Sequence, residues 1–274
     1  MKIVDVQDLT VQTSEASKVV NGISFSIEPG ERLGLIGESG SGKSMTALAV
    51  MGLLPAELKA SGNLLLGNGK DAPMQVIGAS EKSLNEIRGS VASIVFQEPL
   101  TALDPLMKIG RQLSEPLRRW QGLKGDALQE AIISALAEVR IRKPERIAGS
   151  YPYEISGGER QRAAIAMALA CEPSLLIADE PTTALDVTVQ AEILDLLDAV
   201  VAERGMSLLF ISHDLAVVSR ITDHVLVMKD GSVVESGSLR NILHSPNHPY
   251  TRDLVSSAKE LDDALDIAKK SGGN

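Results

Sequence analysis

The chain reads as an α/β protein. A mostly parallel sheet is joined by an N-terminal antiparallel β unit and by a helical unit inserted within the fold. Three observations predict this. From residue 32 onward, short apolar strands alternate with helical patterns, the signature of a parallel sheet covered on both faces. The first thirty residues carry strand alternation only. Residues 98–150 break the α/β order and show helical spacing alone.

Each element follows from its residues. MKIVDVQDLT alternates as a strand, and Ile23, Phe25 and Ile27 alternate with Ser24, Ser26 and Glu28 before a Pro29-Gly30 turn. RLGLIG (32–37) is a short apolar strand, then comes a Gly/Ser loop and a helix running to about Leu54, stopped by Pro55. GNLLLGNGK (62–70) predicts a strand ending in a turn, SLNEIRG (83–89) a short helix, and VASIVFQ (91–97) a buried strand. In the helical unit, Leu128, Ile132, Leu136 and Val139 fall on one face, and Trp120 is expected to cap the unit. A helix follows at 158–171, a strand at SLLIADE (174–180), a helix near 188–203, a strand at SLLFIS (207–212) and a helix from Asp214. HVLVMKDGSVVES (224–236) is a hairpin about Asp230-Gly231. We expect one unit over 1–255, with the helical subdomain at about 98–165, and an extension over 256–274 whose end, AKKSGGN, is loose.

Composition narrows the function. With 274 residues the chain can bury a full core, and its net charge of −9 argues against a nucleic-acid partner. Cys171 is the only cysteine, so no internal disulfide forms; it reads as a packing residue in a reducing compartment. The N-terminus has no apolar signal core, and the longest apolar run, AAIAMALAC (163–171), is about half a membrane span. Any work at a membrane would go through partners.

GESGSGKS (37–44) matches the phosphate-loop pattern G-x-x-x-x-G-K-[ST] between a strand and a helix. Gly37, Gly40 and Gly42 let the backbone turn its N–H groups toward phosphates, with Glu38, Ser39 and Ser41 between them. Lys43 neutralises β/γ oxygens and Ser44 offers a hydroxyl to Mg²⁺. SLLIADE brings Asp179 and Glu180 to a strand's C-terminal end, the edge where α/β sheets bind ligands. Asp179 would hold Mg²⁺, directly or through water, and Glu180 would polarise the attacking water; two solvated carboxylates at a strand end are the plain alternative. His213 ends the next strand and could reach a γ-phosphate or be structural. Gln97 ends VASIVFQ, as a metal and water ligand or a surface residue. A second glycine-rich helix start, ISGGERQR (155–162), also suits an anion, or is a simple turn. His244 and His248 are four apart, but Pro246 and Pro249 favour a loop over a metal-binding helix.

Together these motifs resemble those of the ATP-binding cassette ATPases, over roughly residues 3–255. The order is the phosphate loop at 37–44, a Q-loop at Gln97, the signature ISGGE at 155–159, the acidic strand at 175–180, a D-loop at Ala184-Leu185-Asp186 and a switch His213. FQEPLTALDP (96–105), YPYEISGGERQR (151–162), ADEPTTALDVTVQ (178–190), FISHDLAVV (210–218) and SPNHPYTRDL (245–254) look like the ATPase subunits of peptide and nickel importers. The resemblance implies ATP and Mg²⁺ and a head-to-tail pair of cassettes. In that pair Ser156, Gly157, Gly158 and Glu159 cover the γ-phosphate held by the other subunit. It also implies two membrane permeases and an extracytoplasmic solute-binding protein, with this subunit peripheral at the cytoplasmic face of the cell membrane. Gln97 and the helices after it would link phosphate to permease, and Tyr151 and Tyr153 either sense the permease or pack.

Departures are informative. The signature begins with Ile155 where Leu is commonest and ends in Glu159 where Gln is commonest, an added acid that Arg160 and Arg162 are expected to offset. No aromatic residue stands near Thr13, where related cassettes stack adenine, so adenine selectivity should be weak. No cysteine cluster follows Cys171, which leans toward the nickel-type or another short branch. A DNA-repair cassette would carry heptads and a translation-factor cassette two copies; neither is present. A catalytically silent partner is opposed by Lys43, Asp179, Glu180 and His213.

Overall fold

The computed structural model describes residues 1–98, 102–183 and 185–258. The expected loose tail and Ala184 lie outside the described residues. β1 (Val4–Thr13), β2 (Lys18–Ile27), β4 (Leu58–Leu66) and β5 (Met74–Gln75) form an antiparallel sheet in the order β2-β1-β4-β5. β3 (Arg32–Ile36), β6 (Ala92–Val95), β7 (Leu175–Asp179), β8 (Ser207–Ser212), β9 (His224–Lys229) and β10 (Ser232–Ser238) form a second sheet, β10-β9-β3-β8-β7-β6. Its pairs are all parallel except β9 with β10.

The strand period of two splits the second sheet between two cores. Leu208 and Phe210 of β8, Leu176 and Ala178 of β7, and Val225 and Val227 of β9 enter one of them. That core is shared with α3 (Ile109–Gln121), α4 (Gly125–Glu138), α6 (Gly157–Leu169) and α7 (Val187–Arg204). Leu209, Ile211, Leu175, Ile177, Leu226 and Met228 enter the other, with the first sheet, α1 (Lys43–Val50) and α2 (Glu81–Ile87). Both faces are covered, so these strands are apolar throughout. The shorter helices are α5 (Pro144–Gly149), α8 (Leu215–Ser219) and α9 (Leu239–His244), and residues 249–258 are helical.

Several expectations need correction. The first helix ends at Val50, not near Leu54. Gly52 takes a φ of 63°, its N–H donates to Ala49 O and the Leu53 N–H reaches back to Leu48 O, a glycine stop that precedes Pro55. The strand expected at 62–70 begins at Leu58, because Leu58 pairs with Thr13 of β1, and the short β5 beside it was not anticipated. The expectation that no one helix carries both histidines holds: His244 closes a helix and His248 lies in the loop beyond it. Trp120 does not cap the helical unit: it sits inside α3, where a Cβ on Gly89 would come 3.1 Å from its indole nitrogen, so it marks the seam between α3 and the turn before β6.

Register levels the strand ends. Ile36 pairs with Ser212, and Asp179 pairs with Ile211. The loops after β3, β6, β7 and β8 therefore leave the sheet along one edge.

Candidate nucleotide site

That edge opens into a cavity of about 670 Å³. Glu38, Ser39, Gly40, Gly42, Lys43 and Ser44 line it from the loop after β3, Gln97 from the loop after β6, Glu180 and Thr183 from the loop after β7, and His213 from the loop after β8. Residues up to 175 positions apart in sequence thus meet because parallel strands end level.

The loop is glycine-rich for steric reasons. A Cβ on Gly37 would lie 2.2 Å from Met228 O, and one on Gly42 2.6 Å from Val19 O, with φ at 98° there. Only glycine lets the backbone pass between the β2 and β9 ends. Lys43 Nζ donates to Gly37 O at 2.7 Å and Glu38 O at 2.9 Å, which folds the loop around the ammonium. Burial lowers the Lys43 pKa, against the opposing pull of Glu180, Asp179 and Glu38. Ser41 is buried behind the loop, its carbonyl accepting the Gly231 N–H of the β9–β10 turn at 3.2 Å.

Asp179 is buried beneath the cavity and reaches it through Ser44, whose hydroxyl donates to Oδ1 at 3.1 Å. Burial raises its carboxyl pKa, with Glu180 adding to the effect, while Ser44 and Lys43 hold it down. Glu180 has a φ of 47°, a left-handed conformation that carries its side chain from the strand into the cavity. Thr183 Oγ1 donates to Glu180 Oε2 at 2.9 Å, and His213 Nδ1 lies 3.3 Å from the same oxygen. The carboxylate is therefore aimed by two neighbours. Thr183 was missed by sequence reasoning, although its place three residues after Glu180 is the spacing of a turn contact.

The set fits Mg²⁺ with a nucleotide. Ser44, Asp179 and Gln97 supply oxygen, the donor a hard cation takes. Among the described residues no group of three or more His, Cys, Asp or Glu could hold a metal alone, so phosphate oxygens would complete the shell.

Ser156, Gly157, Gly158 and Glu159 do not line this cavity. Ser156 is the N-cap of α6: its Oγ accepts the Glu159 N–H at 3.2 Å, and Glu159 accepts the Ser156 N–H at 2.9 Å. The other Glu159 oxygen pairs with Arg146. The unusual acid is thus half of a capping box, legible in S-x-x-E but overlooked. Its carboxylate is turned to its own chain. Arg160 and Arg162 do not offset it, as was expected. Arg160 donates to Pro152 O and Ile155 O, bracing the signature loop, and Arg162 is buried against Val139 O and Glu192. Asp186 likewise caps α7, accepting the Val189 N–H at 3.1 Å. Thr13 does not line the cavity; Val19, Met45 and Leu254 are its apolar contributors, and among the described residues no Phe, Tyr or Trp lines it.

Phosphate loop, acidic strand end and aimed carboxylate on one sheet edge are the working parts of a P-loop nucleotide hydrolase, and the chain is of that class. It belongs to the ABC transporter family, whose profile matches residues 20–183, and it is an ATPase. A Brucella ovis protein named for ATP binding in peptide import is 44% identical over 98% of this chain and 81% of its own length. The Agrobacterium fabrum peptidoglycan transport ATP-binding protein YejF is 46% identical, over 93% of this chain and 47% of its own. The Escherichia coli glutathione import ATP-binding protein GsiA is 42% identical, over 94% and 42%. Among solved structures, the dimeric post-hydrolysis ATP-binding cassette MJ0796 with ADP and Pi superposes with a TM-score of 0.75 and 27% identity, over 86% of this chain and 99% of that one. The cbiO1 subunit of the Clostridium perfringens cbiONQ transporter gives a TM-score of 0.74 and 29% identity, over 89% and 91%. No described helix is long and apolar enough to cross a membrane.

Proposed function

We propose that this chain drives import of peptides or peptide-like solutes through closure of a cassette pair on ATP. The observation that carries the solute class is the 44% identity, over 98% of the chain, to a protein named for peptide import. Lys43 and the loop N–H groups bind the phosphates. Ser44, Asp179 and Gln97 would hold Mg²⁺, whose charge offsets that of the phosphate oxygens. Glu180 orients water for attack on the γ-phosphorus and takes its proton as the bond to ADP breaks; Thr183 and His213 keep the carboxylate aimed.

The second half of the site comes from another copy or a homologous subunit. Ser156 and the N–H groups of Gly157 and Gly158 are supplied in trans. Their absence from their own chain's cavity supports this reading, as does the dimeric state of the solved cassette MJ0796. Glu159 acts indirectly, by holding Ser156. The permease side carries the exposed side chains of Leu106 and Tyr153. Tyr151 stacks on Tyr153 at 5.5 Å, and Lys108 lies over the Tyr151 ring. Two permeases and an extracytoplasmic binding protein complete the importer, with this subunit peripheral at the cytoplasmic face of the cell membrane.

The test is reconstitution with the permeases and binding protein that co-purify with the chain from its native membrane. Tripeptides should stimulate ATP hydrolysis and accumulate in vesicles. Stimulation by nickel chelates and not by peptides would overturn the solute class.

A further inference from the structure

The SPNHPYTRDL stretch is held against the phosphate loop, and apart from Leu254, which lines the cavity, nothing above uses it. Glu235 of β10 accepts the N–H groups of Asn247 at 2.8 Å and His248 at 3.0 Å. His248 Nδ1 accepts the Tyr250 N–H at 3.2 Å. These bonds fix the entry to the helical residues 249–258, and Thr251 and Val255 are buried behind it. Lys229 Nζ sits 4.8 Å from the Tyr250 ring centroid. The ring is thereby pinned with its hydroxyl at the loop, where Tyr250 Oη accepts the Glu38 N–H at 2.8 Å.

That N–H belongs to the Gly37–Glu38 peptide group. Its carbonyl, Gly37 O, accepts Lys43 Nζ at 2.7 Å. One planar amide therefore joins the tyrosine to the phosphate-loop lysine. A hydrogen bond at the N–H end strengthens the carbonyl as an acceptor and fixes the plane in which it points. A Cβ on Gly37 would collide with Met228 O, so glycine is needed on that side of the peptide. Burial, with the charges of Glu38 and Asp230 nearby, raises the Tyr250 pKa, so the phenol stays neutral.

We propose that Tyr250 is a positioning residue for the terminal phosphates of ATP: through the Gly37–Glu38 peptide it sets where the Lys43 ammonium stands. The inference rests on the loop's binding of ATP, which titration of the wild-type chain checks separately. Tyr250→Phe keeps the ring, its packing and the Lys229 contact, and removes only the hydroxyl. Calorimetric titration of the full chain should then give a dissociation constant for MgATP raised about three- to tenfold, the worth of one lysine–phosphate hydrogen bond made in poorer geometry. MgADP should weaken less, because Lys43 serves the terminal phosphates, and the melting temperature without nucleotide should not move. In a Lys43→Ala background the same substitution should add less than twofold, since the effect runs through the lysine. Unchanged MgATP binding in Tyr250→Phe would overturn the proposal. So would equal weakening of ATP and ADP with a lowered melting temperature, which would mark a packing role, or a full effect in the Lys43→Ala background.

Discussion

Glu180 stands one residue beyond β7 in a conformation that a non-glycine residue adopts at a cost of about 1 kcal/mol or more. Its carboxylate is held by Thr183 and His213, so the strain is offset by contacts that also aim the group at the cavity. Glu180→Gln keeps shape and hydrogen bonding but loses the base. We expect ATP turnover in the assembled transporter to fall about a hundredfold or more with MgATP binding retained; near wild-type phosphate release would remove Glu180 from that role. Cys171 illustrates the opposite kind of residue. Burial pushes its thiol up to about 11, so it stays protonated at pH 8. Alkylation by iodoacetamide at that pH should run far more slowly than for a free cysteine and accelerate on unfolding; equal rates would mean an open, reactive thiol.

At the scale of elements, α6 shows how a helix start serves two purposes. Its capping box satisfies the Ser156 and Glu159 N–H groups, leaving the Gly157 and Gly158 N–H groups at the positive end of the helix dipole. Despite burial, the Ser156 N–H and hydroxyl together with Arg146 hold the Glu159 pKa below the ordinary glutamate value of 4.5. A lowered carboxylate stabilises the fold above the unfolded value, and that contribution is lost as pH falls through the folded one. Glu159→Ala should cost about 1 kcal/mol at pH 7 in denaturant melts, with the gap to wild type narrowing as the medium is acidified below 4.5. A gap independent of pH would show that the charge contributes nothing. Gly157 gives a cleaner functional probe, since the nearest described side-chain atom a Cβ there would meet lies 3.9 Å away, on Arg160. Gly157→Ala should fold and bind MgATP normally but lose hydrolysis, because the methyl group intrudes where phosphate must approach. Loss of MgATP binding by the single chain would instead place the glycine in its own pocket.

The whole molecule is half of a machine if the signature acts on a partner. Mixing two inactive variants decides this. Lys43→Ala spoils the phosphate-loop half and Gly157→Ala the signature half. In a mixed pair acting in trans, one site combines the intact half of each chain. Hydrolysis should therefore reappear when the two purified variants are mixed and assembled with permeases. If mixing restores nothing, two copies of this chain do not complete each other's sites, and the trans half must come from a homologous subunit or not at all. The same scale governs coupling: if the exposed Tyr153, stacked on Tyr151, meets a permease, Tyr153→Ala should leave ATP binding unchanged while reducing solute-stimulated turnover several-fold.

Much of this was legible because the signals are local. Strand and helix periods, the phosphate-loop spacing and the Asp179-Glu180 strand end depend on residues within a few positions of one another. The glycine stop at Gly52 is also local, yet Pro55 three residues on is the stronger stop signal and masks it. What stayed hidden was contact across the sheet. Leu58 is a strand residue because Thr13 lies beside it, and Glu159 is paired because α5 delivers Arg146. Tyr250 reaches Glu38 across 212 positions of sequence because β9 and β10 carry the chain back to the phosphate loop. Periodicity thus determined the class of fold, and short local motifs pointed to the nucleotide chemistry and to candidate residues for it. Only the tertiary structure decided which carboxylate faces the cavity, which one serves a helix cap, and which distant tyrosine sets the lysine. Those outcomes depend on register and direction between strands, which no local pattern encodes.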